Sequence, residues 1–337
     1  MMANPVRCIA LMGPTASGKT DLAIALAEQL PCDIISVDSA QIYRDMNIGT
    51  AKPDAATLAR APHQLLDILD PGEAYSVSRF RQQALAAIKQ STEAGRIPLL
   101  VGGTMLYFKA LLYGIAEMPP ADPVARANIE QQARQHGWES VHQQLALHDP
   151  VAARRINVAD TQRLQRALEV YLVSGKSMTD WQQGRASASA QKSHGAPLAS
   201  DLPTNVLQLA VAPLERSELH RRIEQRFCSM LEDGLVEEVR RLWQRPDLDS
   251  GMPSMRAVGY RQVIDYLEGR IDRTQMMTAG VVATRQLAKR QLTWLRSWRQ
   301  LHWILTDASG ATAAAPPPVA GMTPLEAAIY YLGKSAG

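Results

Sequence analysis

Short apolar runs recur along the first third of the chain, each closed by turn-forming or helix-starting residues: Cys8–Met12, Ile34–Val37, Leu65–Leu69 and Ile97–Val101. Runs of this length bounded by such residues predict buried strands. The stretches Thr20–Leu30, Asp54–Arg60 and Val77–Ala94 between them predict helices, and Gly95 closes the last as glycine commonly closes a helix. Strands that alternate with helices predict a parallel sheet covered by helices. Two later runs, Val206–Val211 and Leu301–Leu305, read as further strands.

The middle of the chain has another character. Pro123–His136, Glu139–Leu147, Pro150–Ile156 and Asp160–Val173 all read as amphipathic helices. This predicts an all-helical insertion at 118–195 in an α/β core formed by 1–117 and 196–307, a unit placed to close over a substrate. Residues 184–203, rich in Ser, Ala, Gly and Pro, predict a flexible connector. Residues 308–321, small and proline-rich, predict a flexible tail, followed by a short helix that starts at Thr323, Pro324 and Glu326.

Composition narrows the class. With 337 residues, 46% hydrophobic and 20% charged, the chain is expected to be a soluble globular protein, and no apolar run approaches the ~20 residues of a membrane span. With no signal-peptide pattern at its start, it is expected in the cytoplasm without a membrane partner. The cysteines Cys8, Cys32 and Cys228 are odd in number and far apart, which argues against a disulfide framework or a C-x-x-C metal site. His63, His142, His148 and His220 lack metal-ligand spacing with cysteine partners and read as surface or packing residues. A net charge of +3 says little about partners, but Arg270, Arg273, Arg285, Lys289, Arg290, Arg296 and Arg299 stand against the single acid Asp272 between 270 and 299. That stretch is either a solvated helix face or a nucleic-acid contact. Trp294 and Trp298 lie within it at helical spacing, which suits core packing better than base stacking.

The chemistry begins after the first strand. Gly13-Pro14-Thr15-Ala16-Ser17-Gly18-Lys19-Thr20 is a complete G-x-x-x-x-G-K-[ST] phosphate-binding loop between a predicted strand and a predicted helix. Its N–H groups would wrap one anion, Lys19 adds a charge, and the Thr20 hydroxyl can reach a Mg²⁺ on the phosphates. The fold class that follows is α/β: a P-loop NTPase-like parallel sheet core flanked by helices, with the all-helical insertion.

Residues just beyond strand ends are the next candidates, because ligands of such sheets bind there. Asp38 follows Ile34–Val37, and its carboxylate suits water-mediated Mg²⁺ binding, acceptance of a nucleophile's proton, or a helix cap. Thr104 follows Gly102-Gly103 and suits a helix cap or a hydroxyl directed at a phosphate or substrate oxygen.

Five blocks together then resemble one family, the tRNA dimethylallyltransferases or isopentenyltransferases. They are Leu11–Thr20, Ile35–Pro53, Leu99–Tyr107, Asp160–Gly175, and the pair Val258–Arg261 with Ala283–Arg296, and the likeness runs from Ile9 to Trp303. The loop alone is shared with many enzymes; the ordered set is not. The resemblance implies transfer of a dimethylallyl group from dimethylallyl diphosphate to the N6 amine of the adenosine beside the anticodon of tRNA, with Mg²⁺ as cofactor. It implies diphosphate contacts from Gly13, Thr15, Ala16, Ser17, Gly18, Lys19, Thr20 and Arg222, with adjacent Arg221 blurring the last assignment. Asp38 matches the family's base and Thr104 a second catalytic position.

The positions that match the family's RNA contacts are Asp38, Ser39, Ala40, Gln41, Thr104, Arg126, Gln162, Arg163, Leu164, Gln165, Arg166, Arg285 and Lys289. The partners so implied are a tRNA anticodon stem-loop and the prenyl diphosphate, and nothing in the sequence demands more than a monomer. No Cys/His finger follows Cys228, which fits the bacterial type without zinc, and 187–202 matches no family motif. Two rival readings of the loop are a small-molecule kinase using ATP and a nucleotide-driven RNA-binding switch. The downstream basic blocks have no purpose in a kinase with a small substrate.

Overall fold

A computed structural model describes residues 8–116, 118–188, 198–203, 205–298, 300–314 and 318–335. Arg299 and residues 189–197 of the predicted connector lie outside the described residues, and the start of that connector, as far as Ala188, is helical rather than a flexible link. In chain order the elements are β1 (Cys8–Met12), α1 (Lys19–Gln29), β2 (Cys32–Val37), α2 (Ala55–Arg60), β3 (His63–Gln64), α3 (Val77–Glu93), β4 (Ile97–Gly102) and α4 (Met105–Tyr113). The helices α5 (Pro123–His148), α6 (Pro150–Arg155), α7 (Thr161–Ser174) and α8 (Met178–Ala188) follow. The chain then runs through β5 (Val206–Pro213), α9 (Arg216–Glu232), α10 (Leu235–Trp243), α11 (Tyr260–Leu267), α12 (Arg273–Arg296), β6 (His302–Thr306) and α13 (Pro324–Ser335).

Among the described residues the strands form one six-stranded sheet in the order β3-β2-β4-β1-β5-β6, with every pairing parallel. β1 is central and buried on both sides. Cys8, Ala10 and Met12 pack on one face with Phe80 of α3 and Phe108 of α4, while Ile9 and Leu11 pack on the other with Leu22 and Leu26 of α1. This two-sided cover explains why β1 reads as an unbroken apolar run. Full burial of a side chain the size of Ile9, Leu11 or Met12 stabilises the fold by about 1.5–3 kcal/mol.

The chain divides into two compact units, residues 1–113 with 198–337, and residues 114–197. The second unit has its own core, with Ile129, Val141, Leu145, Leu164 and Leu168 buried together. Its longest helix carries a non-helical residue at Gly137 (φ 79°, ψ 163°), where the sequence predicts one helix to end before the next begins. The first unit has, besides the sheet layers, a helical cluster in which Phe227, Leu235, Val239, Tyr260 and Met276 surround Ile42 and Met46 from the segment after β2.

Two expectations are corrected. The strand predicted at Leu65–Leu69 is absent, because Leu65 (φ 62°) and Asp67 (φ 53°) take left-handed backbone that no strand can contain. The strand there is the short β3, and Leu69 returns only for a single bridge to Tyr43. The stretch predicted to be flexible at 308–321 is packed where it is described, and the short helix predicted after it is α13. Thr312 bridges Thr306, its hydroxyl donates to the Val319 carbonyl, and Val319, Ala327 and Ala328 are buried on the face of the sheet that holds Ile9. Ala327 and Ala328 let α13 approach the strands closely, which holds the stretch before it against the sheet. No helix among the described residues is long and apolar enough to cross a membrane.

Candidate active site

The loops after β1, β2 and β4 meet at the carboxyl edge of the sheet. In the first, Ala16 (φ 62°) and Gly18 (φ 88°) take left-handed backbone, which turns the chain back on itself before α1 begins at Lys19. A Cβ on Gly13 would lie 2.6 Å from both the Ser17 Oγ and the Val211 carbonyl oxygen, so the turn needs glycine. The Ser17 hydroxyl is buried without a hydrogen-bond partner among the described residues. Lys19 is half-buried, and its Nζ donates to the Pro14 carbonyl at 3.3 Å. Burial pulls its ammonium down to about 8; the Asp38 carboxylate opposes that shift and the Arg226 guanidinium adds to it. A lysine held with its charge poorly compensated, beside an orphaned buried hydroxyl, is chemistry prepared for an anion.

Asp38 ends β2. Its Oδ1 accepts from the N–H groups of Ala40 at 2.8 Å and Gln41 at 3.2 Å, the Asx turn expected of a cap. No hydrogen bond among the described residues reaches Oδ2. Thr104 stands across from it: its N–H donates to the Val37 carbonyl at 3.3 Å, and its hydroxyl accepts from the Ser39 N–H at 3.1 Å. The hydroxyl therefore ties two loops together, while the Thr104 carbonyl takes part in the first turn of α4. Gln41 is committed within its own segment, with its amide nitrogen donating to the carbonyls of Thr50 (3.2 Å) and Ala51 (3.1 Å).

Helix α9 brings cations to the same region. The carboxylate of Glu218 accepts from Arg221 and Arg222, each at 2.7 Å, and is held down to about 2, first by Arg221 and then by Arg222. Arg226, one turn beyond Arg222, is the guanidinium felt by Lys19. On α12, Arg285 pairs with Glu224 of α9 at 2.8 Å, whereas Lys289 is exposed and unpaired among the described residues. Trp298 is a packing residue, since its Nε1 donates to Gln208 at 2.6 Å, while Trp294 remains 37% exposed.

The remaining predicted contacts lie in the helical unit. Arg126 and Arg166 converge on buried Glu169, at 2.9 and 2.8 Å. Burial raises that carboxyl, and hydrogen bonds from Arg126, Arg166 and the Asp122 N–H outweigh it, so its pKa lies below the usual range. Gln162 and Arg163 are exposed on the first turn of α7, and Gln165 donates to Glu130 at 2.8 Å. Leu164 is fully buried in the unit's core. Its side chain is a packing residue, so that position can offer RNA no side-chain contact.

A family model described as IPP transferase matches residues 41–298, and a second, described as isopentenyl transferase, matches residues 6–69. The first spans well over half of the chain. The protein belongs to the IPP transferase family. Its fold is similar to that of the full-length tRNA isopentenylpyrophosphate transferase from Bacillus halodurans (34% identity, 89% of each chain, TM-score 0.62). It is likewise similar to the tRNA Δ(2)-isopentenylpyrophosphate transferase from Staphylococcus epidermidis (31% identity, 90% of this chain and 93% of that one, TM-score 0.60). A eukaryotic dimethylallyltransferase acting on tRNA shares the fold at 23% identity, with 89% of this chain and 73% of that one covered and a TM-score of 0.71. The family expected from the sequence blocks and the P-loop-like α/β fold are thus both established.

In this IPP transferase family member, three site residues escape sequence reasoning: Arg226, Gln291 and Glu238. For Arg226 a signal existed, the four-residue spacing from Arg222. Glu238 of α10 is buried, and its carboxylate accepts from the N–H groups of Asn47 (2.9 Å), Ile48 (2.8 Å) and Gly49 (3.0 Å) and from the Tyr260 hydroxyl (2.6 Å). Burial, and then this carboxylate, push the Tyr260 hydroxyl up, which keeps it a donor. The segment so gripped leads to the Thr50 and Ala51 carbonyls that hold Gln41. Glu238→Leu strands four donors, each costing about 1–3 kcal/mol. We expect urea unfolding to show a loss of about 3 kcal/mol or more; a loss under about 1 kcal/mol contradicts the assignment.

Proposed function

We propose that the protein transfers a dimethylallyl group from dimethylallyl diphosphate to the N6 amine of the adenosine adjacent to the anticodon of tRNA, releasing diphosphate. The observation that carries this reading is the meeting of a phosphate-binding loop, its half-buried Lys19 and the Asp38 carboxylate at one sheet edge, in a chain of this family.

The roles follow from the geometry. The N–H groups of Gly13, Ala16, Ser17 and Gly18, with the charges of Lys19, Arg222 and Arg226, bind the diphosphate and stabilise the negative charge that grows on it as the allylic carbon–oxygen bond breaks; the Thr15 N–H, expected among them, is taken by Gln291. The adenine amine is a poor nucleophile because its lone pair is delocalised into the ring. As its nitrogen bonds to the allylic carbon, its proton passes to Asp38, whose Oδ2 is the oxygen left available once Oδ1 has capped the following turn. Thr104 positions the Ser39 backbone beside that carboxylate. To reach it, the base leaves the stack of its loop.

The donor set also suits Mg²⁺. The Thr20 hydroxyl has no hydrogen bond among the described residues, and no cluster of three or more His, Cys, Asp or Glu occurs there. One hydroxyl with substrate phosphates and waters is the usual magnesium arrangement, since the ion dehydrates reluctantly. Bound there, Mg²⁺ would supply further neutralisation of the departing diphosphate.

RNA contacts are assigned to Ser39, Ala40, exposed Gln162 and Arg163, to Arg126 and Arg166 presented by Glu169, and to Arg285 and Lys289 of α12. Lys289→Ala is expected to weaken tRNA binding and to flatten log K against log salt by about 0.7–0.9, the slope carried by a single neutralised phosphate. A filter-binding series that returns the parental slope removes Lys289 from the interface. For the function itself, purified protein is given labelled dimethylallyl diphosphate with bulk tRNA, and separately ATP without RNA. Label in the tRNA nucleosides with no ATP turnover is the expected result; ATP hydrolysis or phosphoryl transfer with unlabelled tRNA overturns it.

A further inference from the structure

The phosphate-binding loop is braced from a helix far away in sequence. The Thr15 N–H donates to Oε1 of Gln291 at 2.9 Å, and Nε2 of the same side chain donates to the Gly103 carbonyl at 2.9 Å. These bonds join residues 276 and 188 positions apart. One amide on α12 therefore links the loop after β1 to the loop after β4, and uses both of its ends to do so. A Cβ on Gly103 would lie 2.3 Å from Nε2, so the brace and that glycine require each other.

The brace acts where the backbone is under strain. Ala16 carries a Cβ in the left-handed region, a conformation that costs an L-residue energy and persists only where the surroundings enforce it. Gln291 fixes the Pro14–Thr15 peptide, one residue ahead of that strained position. The same bond occupies the Thr15 N–H, so the orientation of the loop's other N–H groups is set before any anion arrives. Preorganised donors are worth more than donors that must be ordered on binding.

We infer that Gln291 is the positioning residue for the diphosphate: its amide holds the loop in its anion-binding shape and clamps it to the Gly102-Gly103 turn. The inference rests on the diphosphate reading of the loop and adds to it a residue that touches no substrate. A space-filling role makes a different claim, since glutamate and methionine nearly match glutamine in shape. Methionine loses both hydrogen bonds. Glutamate keeps the acceptor for Thr15 but sets an oxygen against the Gly103 carbonyl and a negative charge beside the bound anion.

The test is calorimetric titration of full-length protein with inorganic diphosphate and Mg²⁺, alongside tRNA binding and thermal melting of each variant. Gln291→Met is expected to weaken diphosphate binding about tenfold and Gln291→Glu about a hundredfold or more, with tRNA affinity within about twofold of the parent. In turnover, the KM for the allylic diphosphate rises more than kcat falls. Gly103→Ala weakens diphosphate binding in the parent, but adds no more than about twofold in a Gln291→Ala background, because the 2.3 Å clash is gone and only a 3.2 Å approach to the Gly13 carbonyl oxygen remains.

Parental diphosphate affinity in both Gln291→Met and Gln291→Glu overturns the inference, and so does an unchanged Gly103→Ala penalty in the Gln291→Ala background. Because inorganic diphosphate is read directly, a protein that binds it in this variant-dependent way yet prenylates no RNA fails the proposed function alone. A protein that prenylates RNA and ignores these substitutions fails the inference alone.

Discussion

Asp38→Asn lowers the single-turnover rate of prenyl transfer by a factor of about 10²–10⁴, the usual contribution of a positioned general base, and leaves tRNA affinity within a few fold. Asparagine is the informative substitution because the carboxylate has two tasks. Its Oδ1 caps the turn through the Ala40 and Gln41 N–H groups, and an asparagine oxygen retains both bonds. What asparagine removes is the proton acceptor at Oδ2. Asp38→Ala, by contrast, frees two backbone donors and loosens the loop, so it mixes a chemical with a structural effect. Loss of tRNA binding in Asp38→Asn with the chemical step intact would assign Asp38 to recognition.

Lys19→Met lowers kcat/KM for the allylic diphosphate by about 10²–10³, the cost of removing one preorganised donor from a developing anion. The same variant removes a pH dependence. Burial brings the free Lys19 ammonium down to about 8, and a bound diphosphate restores its preference for the charged form. Binding therefore takes up a proton once pH exceeds about 8, and the linkage has one sign: affinity is level below that pH and falls as pH rises through it. Titration of the parent with inorganic diphosphate and Mg²⁺ from neutral to alkaline pH is expected to show this fall, and the Lys19→Met variant a flat profile over the same range. Equal pH dependence in both proteins would assign the effect to another group.

Sequence reasoning was strongest where the chemistry is local. The loop from Gly13 to Thr20 is a contiguous pattern, and Asp38 and Thr104 stand just beyond strand ends; the structure puts all of them at one edge of the sheet. The corrections come from physics that spacing does not carry. Leu65 and Asp67 adopt left-handed backbone inside an apolar run, and the stretch at 308–321 is held at the sheet by Thr312 and Val319, contacts that its small-residue composition does not announce. Leu164 stands among polar neighbours that face solvent, yet helical geometry turns its own side chain into the core. Gln291 and Glu238 were silent in the sequence because their partners lie 188–276 and 189–191 positions away. An amide or a carboxylate on a helix looks the same whether it faces water or braces a loop.

The most direct measurement is a crystal structure of the protein with Mg²⁺, a non-transferable dimethylallyl diphosphate analogue and an anticodon stem-loop RNA. The account predicts the two phosphates within the loop from Gly13 to Thr20, and the exocyclic amine of a flipped adenine at about 3 Å from Oδ2 of Asp38. Phosphates bound elsewhere, or an adenine beyond hydrogen-bond reach of that carboxylate, would contradict it.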